Sequence, residues 1–139
     1  TEGGLNLVKY KKKLKNIIEK FKKNKIRTSL FINPSIKDVK LSKELNVDCV
    51  EIHTGKISNL VKSKKEYNKE LNRIKNCSIL ANKLNIEVHA GHGLDYQTTK
   101  ILAKIKEIEE FNIGHFIIGE SIFDGLSKVI KKFRKIIKD

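Results

Sequence analysis

The chain has 139 residues and carries 30 Lys and Arg against 16 Asp and Glu, which gives a formal net charge of +14 at pH 7. This length allows one domain with a modest core, and the 39% of hydrophobic residues favours a folded chain over a disordered tail. No apolar run approaches the roughly 20 residues of a membrane span, and no secretory pattern opens the sequence, so we expect neither a membrane protein nor a secretory precursor.

The positive charge comes almost entirely from lysine. Arg accounts for only three of the 30 basic residues, whereas nucleic-acid readers usually enrich Arg because its planar guanidinium group matches phosphates and guanine edges. The lysines fall mainly on the outer faces of predicted helices, as at residues 11–13 and 131–132. We therefore interpret them as a solvated surface, with a basic nucleic-acid-binding module as a distant alternative.

The first half of the chain alternates helical and strand patterns. Apolar residues recur at helical spacing over residues 7–21 and predict a helix of about five turns. Residues 26–33 predict a buried strand that Pro34 ends. A short amphipathic helix over residues 35–46 and a second strand over residues 47–53 follow.

The second half continues the alternation. The spacing predicts a long helix over residues 67–85, a third strand over 86–90 and a helix over 96–106. The last unit has two interpretations: a strand over residues 115–118, or a strand over 110–113 with a short helix from position 114 to 123. We favour the second because it brings a strand end and a helix N-terminus together, where ligands bind in such folds. A final helix is predicted over residues 126–137.

Four strand–helix units imply an α/β fold with parallel strands and crossover helices. Two architectures fit, a small open sheet or half of a TIM barrel, since a complete barrel needs about 250 residues. Residues 1–4 (TEGG) lead into the first helix without a strand, so we expect the chain to enter the fold midway. No linker interrupts it, and residues 1–139 are predicted to be a single partial domain.

All four histidines lie at or just after predicted strand ends: His53, His89, His92 and His115. The carboxyl ends of parallel strands are where α/β active sites form, so the set favours an active-site rim over four separate structural roles. His89 and His92 are three residues apart but lie on a strand and a turn with no third ligand, so we predict no metal site. Cys49 and Cys77 are isolated and are expected to be reduced, buried thiols.

The richest segment is residues 88–95 (VHAGHGLD). Glycines flank His92, so backbone amides can approach a ligand and cradle an anion, and the imidazole can exchange protons near neutral pH. A plain strand-to-helix turn remains the alternative.

Two further positions complete the predicted rim. Glu51 shares a strand face with His53 and is costly there unless paired or used, although an ordinary solvated Glu remains possible. Helix-start amides after Gly114, together with Gly93, form a candidate split phosphate site.

Five segments, in this order and spacing, resemble the C-terminal part of the pyridoxine 5′-phosphate synthase family. They are residues 1–5 (TEGGL), 29–32 (SLFI), 50–55 (VEIHTG), 90–94 (AGHGL) and 112–115 (NIGH) with 117–119 (IIG). The resemblance covers essentially the whole chain. It implies the C-terminal half of a TIM (β/α)8 barrel, with four parallel strands, crossover helices and extra short helices.

The resemblance also implies an activity. This family condenses 3-amino-2-oxopropyl phosphate with 1-deoxy-D-xylulose 5-phosphate to pyridoxine 5′-phosphate, inorganic phosphate and water. It does so by acid/base catalysis in the cytoplasm, as a homo-octamer when full length, with no metal or organic cofactor and no nucleic-acid or membrane partner. Another phosphate-binding barrel, of aldolase or isomerase type, is the alternative enzyme.

The matched positions carry implied roles. His92 is the proton donor, Glu51 stabilises a charged transition state, and Gly93, Gly114 and His115 bind the aminoketone phosphate. The family's first four strands, with further catalytic His and Glu residues, would precede position 1. We therefore expect the chain alone to be inactive, and to associate through two unpaired sheet edges and an apolar barrel face.

Overall fold

The computed structural model describes residues 3–138, which form four β-strands and seven α-helices. The strands are β1 Ser29–Ile32, β2 Cys49–His53, β3 Glu87–Gly91 and β4 Glu110–Asn112. The helices are α1 Leu7–Lys23, α2 Ile36–Glu44, α3 Gly55–Lys62, α4 Asn68–Lys83, α5 Tyr96–Leu102, α6 His115–Asp124 and α7 Leu126–Lys138. Thr1 and Glu2 of the TEGGL segment lie outside the described residues.

The four strands form one parallel sheet in the order β1-β2-β3-β4, and each connection between neighbouring strands contains one or two helices. In the sheet register Phe31 lies opposite Glu51, Glu51 opposite His89, and His89 opposite Glu110. Because sequential strands are neighbours, their carboxyl ends line up along one edge. The predicted α/β class with four parallel strands is confirmed.

One face of the sheet carries the core. Alternate strand residues on this face are at most 6% exposed and pack against the helices: Leu30, Ile32, Val50, Ile52, Val88 and Ala90. Full burial of an aliphatic side chain stabilises the fold by about 1.5–3 kcal/mol, so this layer is what holds the helices to the sheet. The helices contribute fully buried Val39, Ile57 and Ile74 from the other side.

The opposite face of the sheet is mainly polar, and the expectation of an apolar barrel face is wrong. Alternation along the strands puts Phe31, Glu51, His53, His89 and Glu110 on this face. The His89 ring lies 3.5 Å from the Glu110 carboxylate of the neighbouring strand, and Asn112 of β4 donates to the Glu51 carboxylate at 2.9 Å. The three most exposed large apolar side chains among the described residues lie instead on α6, at Ile118, Ile122 and Phe123, and Leu126 at the start of α7 is also exposed.

The sequence interpretation of the last unit is confirmed: β4 precedes a short helix, and residues 115–118 are helical rather than extended. The largest boundary differences are at the start of β1 and at the end of α5. β1 begins three residues later than predicted because the Thr28 N–H donates to the Asp48 carboxylate, at 2.7 Å, instead of to a neighbouring strand. α5 ends at Leu102, and α3 was not predicted at all.

The outer edge of β1 is partly covered, contrary to the expectation of two unpaired edges. The Leu5 N–H donates to the Phe31 carbonyl oxygen at 2.8 Å, and the Gly4 N–H donates to the Asn33 side chain at 3.1 Å. Both cysteines are free and buried, as expected, and burial raises the pKa of the Cys77 thiol to about 11. No described helix is both long and apolar enough to cross a membrane.

Candidate active site

The turn that follows β3 carries His92 in a constrained conformation. His92 (φ 80°) and Gly93 (φ 74°) both have positive φ angles, which is uncommon for a residue with a side chain. Thr54, fully buried at the end of β2, holds this turn. Its N–H donates to the Gly91 carbonyl at 2.8 Å, and its hydroxyl lies 2.7 Å from that oxygen and 2.8 Å from the His92 carbonyl. The β2–α3 junction therefore fixes where the His92 imidazole stands.

The His92 ring packs beside a second imidazole. The ring centroids of His92 and His53 are 4.9 Å apart, and Phe31 contacts both rings, at 5.3 Å from His53 and 6.4 Å from His92. Burial, and then the charge of His92, lowers the pKa of His53. The close packing also requires Gly55, where a Cβ atom would come within 2.9 Å of both rings.

Glu51 reaches the same edge from β2 and is held by two neighbours. Asn112, at the end of β4, donates its side-chain N–H to a Glu51 carboxylate oxygen at 2.9 Å. The other carboxylate oxygen occupies the space where a Cβ on Gly91 would be. Burial raises the pKa of Glu51, against the opposing effects of the Asn112 hydrogen bond and of His89. The carboxyl group is thus placed beside the residue that immediately precedes His92.

Two cavities meet at His92. The first, of about 470 Å³, is lined by Lys62, His92, Gly93 and Leu94 together with residues 112–116. The second, of about 460 Å³, is lined by His53, Gly55, Lys56, Asn59 and again His92. His92 therefore borders both spaces, and a histidine in such a position is suited to proton transfer between groups held on either side.

The first cavity has the features of an anion site. Gly114 is the N-cap residue of α6 and leaves the first-turn N–H groups without a capping side chain. These N–H groups, together with the helix dipole, attract negative charge. A Cβ on Gly114 would meet no atom within 4 Å, so the protein itself does not require a glycine there. His115, the first residue of the helix, adds an exposed imidazole to the cavity wall.

Comparison with known families adds the decisive observation. The family model described as "Pyridoxal phosphate biosynthesis protein PdxJ" matches residues 1–139. The chain belongs to this family.

Curated PdxJ-type relatives carry the name pyridoxine 5′-phosphate synthase. The chain is 67% identical over 136 residues to the protein of Pelagibacter ubique, covering 98% of this chain and 57% of the relative. It is 45% identical over 137 residues to that of a Sulfurihydrogenibium species, covering 99% and 56%. With Nautilia profundicola the identity is 42% over 158 residues, covering 99% and 61%.

The resemblance to the synthase family that the sequence motifs indicate is therefore confirmed. The chain spans less than two thirds of the length of these curated relatives. The PdxJ fold is a TIM barrel, and the four-stranded parallel sheet described above is part of such a barrel. In that frame, the mainly polar face is the inner side of the barrel.

Four of the five predicted site residues come together. His92, Gly93, Gly114 and His115 line the first cavity. Glu51 does not line it, but contacts Asn112, which does.

His89 is not part of the rim, and its predicted place at a strand end is wrong. It is the third of five residues in β3 and is buried, with Nε2 2.8 Å from Glu87 and Nδ1 3.5 Å from Glu110. β3 runs to Gly91 because that residue pairs with β2 and β4. Across residues 3–138, no three His, Cys, Asp or Glu side chains converge as a group that could hold a metal ion.

Sequence reasoning missed three contributors to the site: Thr54, Asn112 and Lys62. Thr54 and Asn112 belong to the segments that carry the family resemblance, residues 50–55 and 112–115. Their position as polar residues at strand ends was the signal that could have identified them. Lys62 is the last residue of α3, a helix that was not predicted, and had no signal in the pattern.

Proposed function

We propose that the chain supplies the proton-donating and phosphate-binding part of a pyridoxine 5′-phosphate synthase. The complete enzyme would condense 3-amino-2-oxopropyl phosphate with 1-deoxy-D-xylulose 5-phosphate to pyridoxine 5′-phosphate, inorganic phosphate and water. The observation that carries this proposal is the place of His92, which lines two cavities, one of them bordered by uncapped helix amides.

The first cavity would bind the phosphate of the aminoketone substrate. Gly93 offers a backbone N–H at a turn, and Gly114 and His115 begin the α6 helix with its free first-turn donors. Charge-assisted hydrogen bonds from several backbone N–H groups suit a phosphate monoester, whose oxygens accept them from several directions. The bound substrate would then place its carbonyl and amino groups toward His92.

His92 would act as the general acid. A His is suited to protonate leaving oxygens near neutral pH, and imine formation and loss of water both need such a donor. Glu51, beside Gly91, would stabilise positive charge that develops on the condensing amine, since a half-buried carboxylate interacts strongly with a nearby cation. Its raised pKa reflects the burial that makes this interaction effective.

The remaining expectations belong to the same proposal. The residues 1–139 form one partial domain of a larger barrel, and the complete enzyme is a cytoplasmic homo-octamer that needs no cofactor. The chain alone would not turn over, because further catalytic groups of the family would come from strands outside these 139 residues. The relatives' greater length supports this view.

A chimera tests the proposal. The part of the Pelagibacter ubique relative that the chain does not match is joined to this chain, and pyridoxine 5′-phosphate formation is assayed beside the intact relative. We expect the chimera to be active, the 139-residue chain alone to be inactive, and His92→Ala in the chimera to lower kcat by roughly two to four orders of magnitude.

His115→Gln is the matched control for His92→Ala, and it should act mainly on KM. An inactive chimera beside an active relative would contradict the proposed function, and an unchanged kcat for His92→Ala would remove the general-acid role.

A further inference from the structure

The lining of the first cavity includes one lysine, Lys62. Of the described residues that line it, Lys62 alone is a lysine or arginine, and none is acidic. His92 and His115 contribute imidazole side chains to the same set of lining residues. Lys62 therefore brings a positive charge to the cavity that the α6 N-terminus also borders.

A backbone contact holds the Lys62 ammonium in place. Lys62 is the last residue of α3, and its Nζ donates to the Gly93 carbonyl oxygen at 3.2 Å. An ammonium group has three N–H donors, so two remain after this hydrogen bond. The contact directs the cation to the same turn whose N–H groups border the cavity.

Helix α3 is itself packed against that turn. A Cβ on Gly93 would come 3.3 Å from Ser58 of α3, and Gly55, at the start of α3, contacts the His92 ring closely. Ile57, Ser58 and Val61 are buried under the helix. A rigid support of this kind reduces the conformational entropy that a lysine side chain loses when it binds a ligand.

We propose that Lys62 is a phosphate-binding, specificity-determining residue of this cavity, contributing the positive charge that favours a phosphate monoester over neutral ligands of similar size. This inference rests on the proposed function, because it assigns the cavity to a substrate phosphate. Lys62 binds the phosphate together with the α6 amides, and takes no part in proton transfer.

The test is a titration of the 139-residue chain with inorganic phosphate, followed by ¹H–¹⁵N NMR. In the unsubstituted chain, the Gly93, Gly114 and His115 amide signals should shift. In Lys62→Gln, phosphate should shift the same signals, but the dissociation constant should be about fivefold higher. This is the typical effect of losing one partly exposed charge-assisted contact. Lys62→Arg should restore most of the affinity.

Lys65→Gln is the matched control, since it removes the same charge three positions away on an exposed residue outside the cavity. The role of Lys62 would be overturned if Lys62→Gln bound phosphate within twofold of the unsubstituted chain, or if Lys65→Gln lost as much phosphate affinity as Lys62→Gln. Either result would leave the phosphate site intact. Absence of shifts at all three amides in the unsubstituted chain would overturn both the phosphate site and the role of Lys62. The lysine would be structural if Lys62→Gln, without phosphate, changed the amide signals of residues 91–94 and Lys62→Arg also bound phosphate weakly. That result would contradict the inference.

Discussion

At the scale of single residues, the candidate site is held in a state that costs stability. Burial raises the pKa of Glu51 above its reference value of 4.5, so the folded chain binds a proton there more readily than the unfolded chain does. The favourable contribution of this group is complete below pH 4.5 and is lost as the pH rises through the folded-state pKa. At neutral pH the ionised Glu51 therefore lowers the free energy of unfolding.

Glu51→Gln should accordingly raise the melting temperature at pH 7, because glutamine keeps an oxygen that accepts from Asn112 and carries no charge to bury. The gain should disappear below pH 4.5, where the wild-type carboxyl is protonated. Glu19→Gln, on the exposed face of α1, removes the same charge and is the control. Thermal unfolding across this pH range measures both variants, and an equal change in the two would show that only the net charge matters.

Glycines illustrate what sequence alone could and could not establish at this scale. The GHG segment indicated a turn that approaches a ligand, and Gly93 does adopt a positive φ angle. The reason for Gly91 is different: it makes room for the Glu51 carboxylate of the neighbouring strand. That contact depends on the register between β2 and β3, which local sequence does not encode. The same holds for Asn112, whose partner is 61 residues away.

At the scale of elements, the orientation of α6 decides where its N-terminal amides point. Three aromatic side chains connect it to its neighbours: Tyr96 of α5, Phe116 of α6 and Phe133 of α7. Tyr96 and Phe133 have ring centroids 4.6 Å apart, and Phe116 lies 4.9 Å from Tyr96 and 5.9 Å from Phe133. Lys132 adds a cation–π contact, with Nζ 3.7 Å from the centre of the Tyr96 ring. This aromatic cluster supports the N-terminal end of α6, where we propose that a phosphate binds.

Phe133→Ala should therefore destabilise the chain by about 3–5 kcal/mol, the usual cost of emptying a buried phenylalanine site, because Phe133 is only 4% exposed. Phe123→Ala, at a position 88% exposed, should change the free energy of unfolding by less than about 0.5 kcal/mol. Urea unfolding measures both. If Phe133→Ala does not fold, Phe133→Leu should show a smaller loss in the free energy of unfolding. Equal losses for the substitutions at positions 133 and 123 would contradict the supporting role of the aromatic cluster.

The elements themselves were largely readable from sequence, because hydrophobic periodicity reports which face each one buries. The C-terminal unit was ambiguous, since residues 115–118 have strand-forming side chains. Pairing decided it: residues 110–112 lie beside β3, with Glu110 opposite His89, and the following residues are left to form a helix. Helix α3 escaped prediction because it is short and its buried residues include small ones, such as Gly55 and Ser58.

At the scale of the whole molecule, one edge of the sheet and an apolar patch are exposed. β4 ends the sheet with three residues, and its outer edge has no neighbouring strand in the described chain. Nearby, α6 and α7 expose an apolar patch formed by Ile118 (63% exposed), Ile122 (78%), Phe123 (88%) and Leu126 (50%). Contiguous exposed apolar side chains of this kind favour association, and open strand edges add hydrogen-bonding groups to it.

We therefore expect the 139-residue chain to associate with itself in a concentration-dependent way, through the apolar patch rather than through the mainly polar sheet face. Ile122→Lys should weaken this association by about tenfold or more in dissociation constant, since it places a charge within the patch. Ile36→Lys, at a position 43% exposed on α2, adds the same charge away from the patch and is the control. Sedimentation velocity over a range of protein concentrations measures the association of all three chains. If both variants weaken association equally, the effect is one of net charge. If the unsubstituted chain is monomeric at all concentrations, the prediction is contradicted.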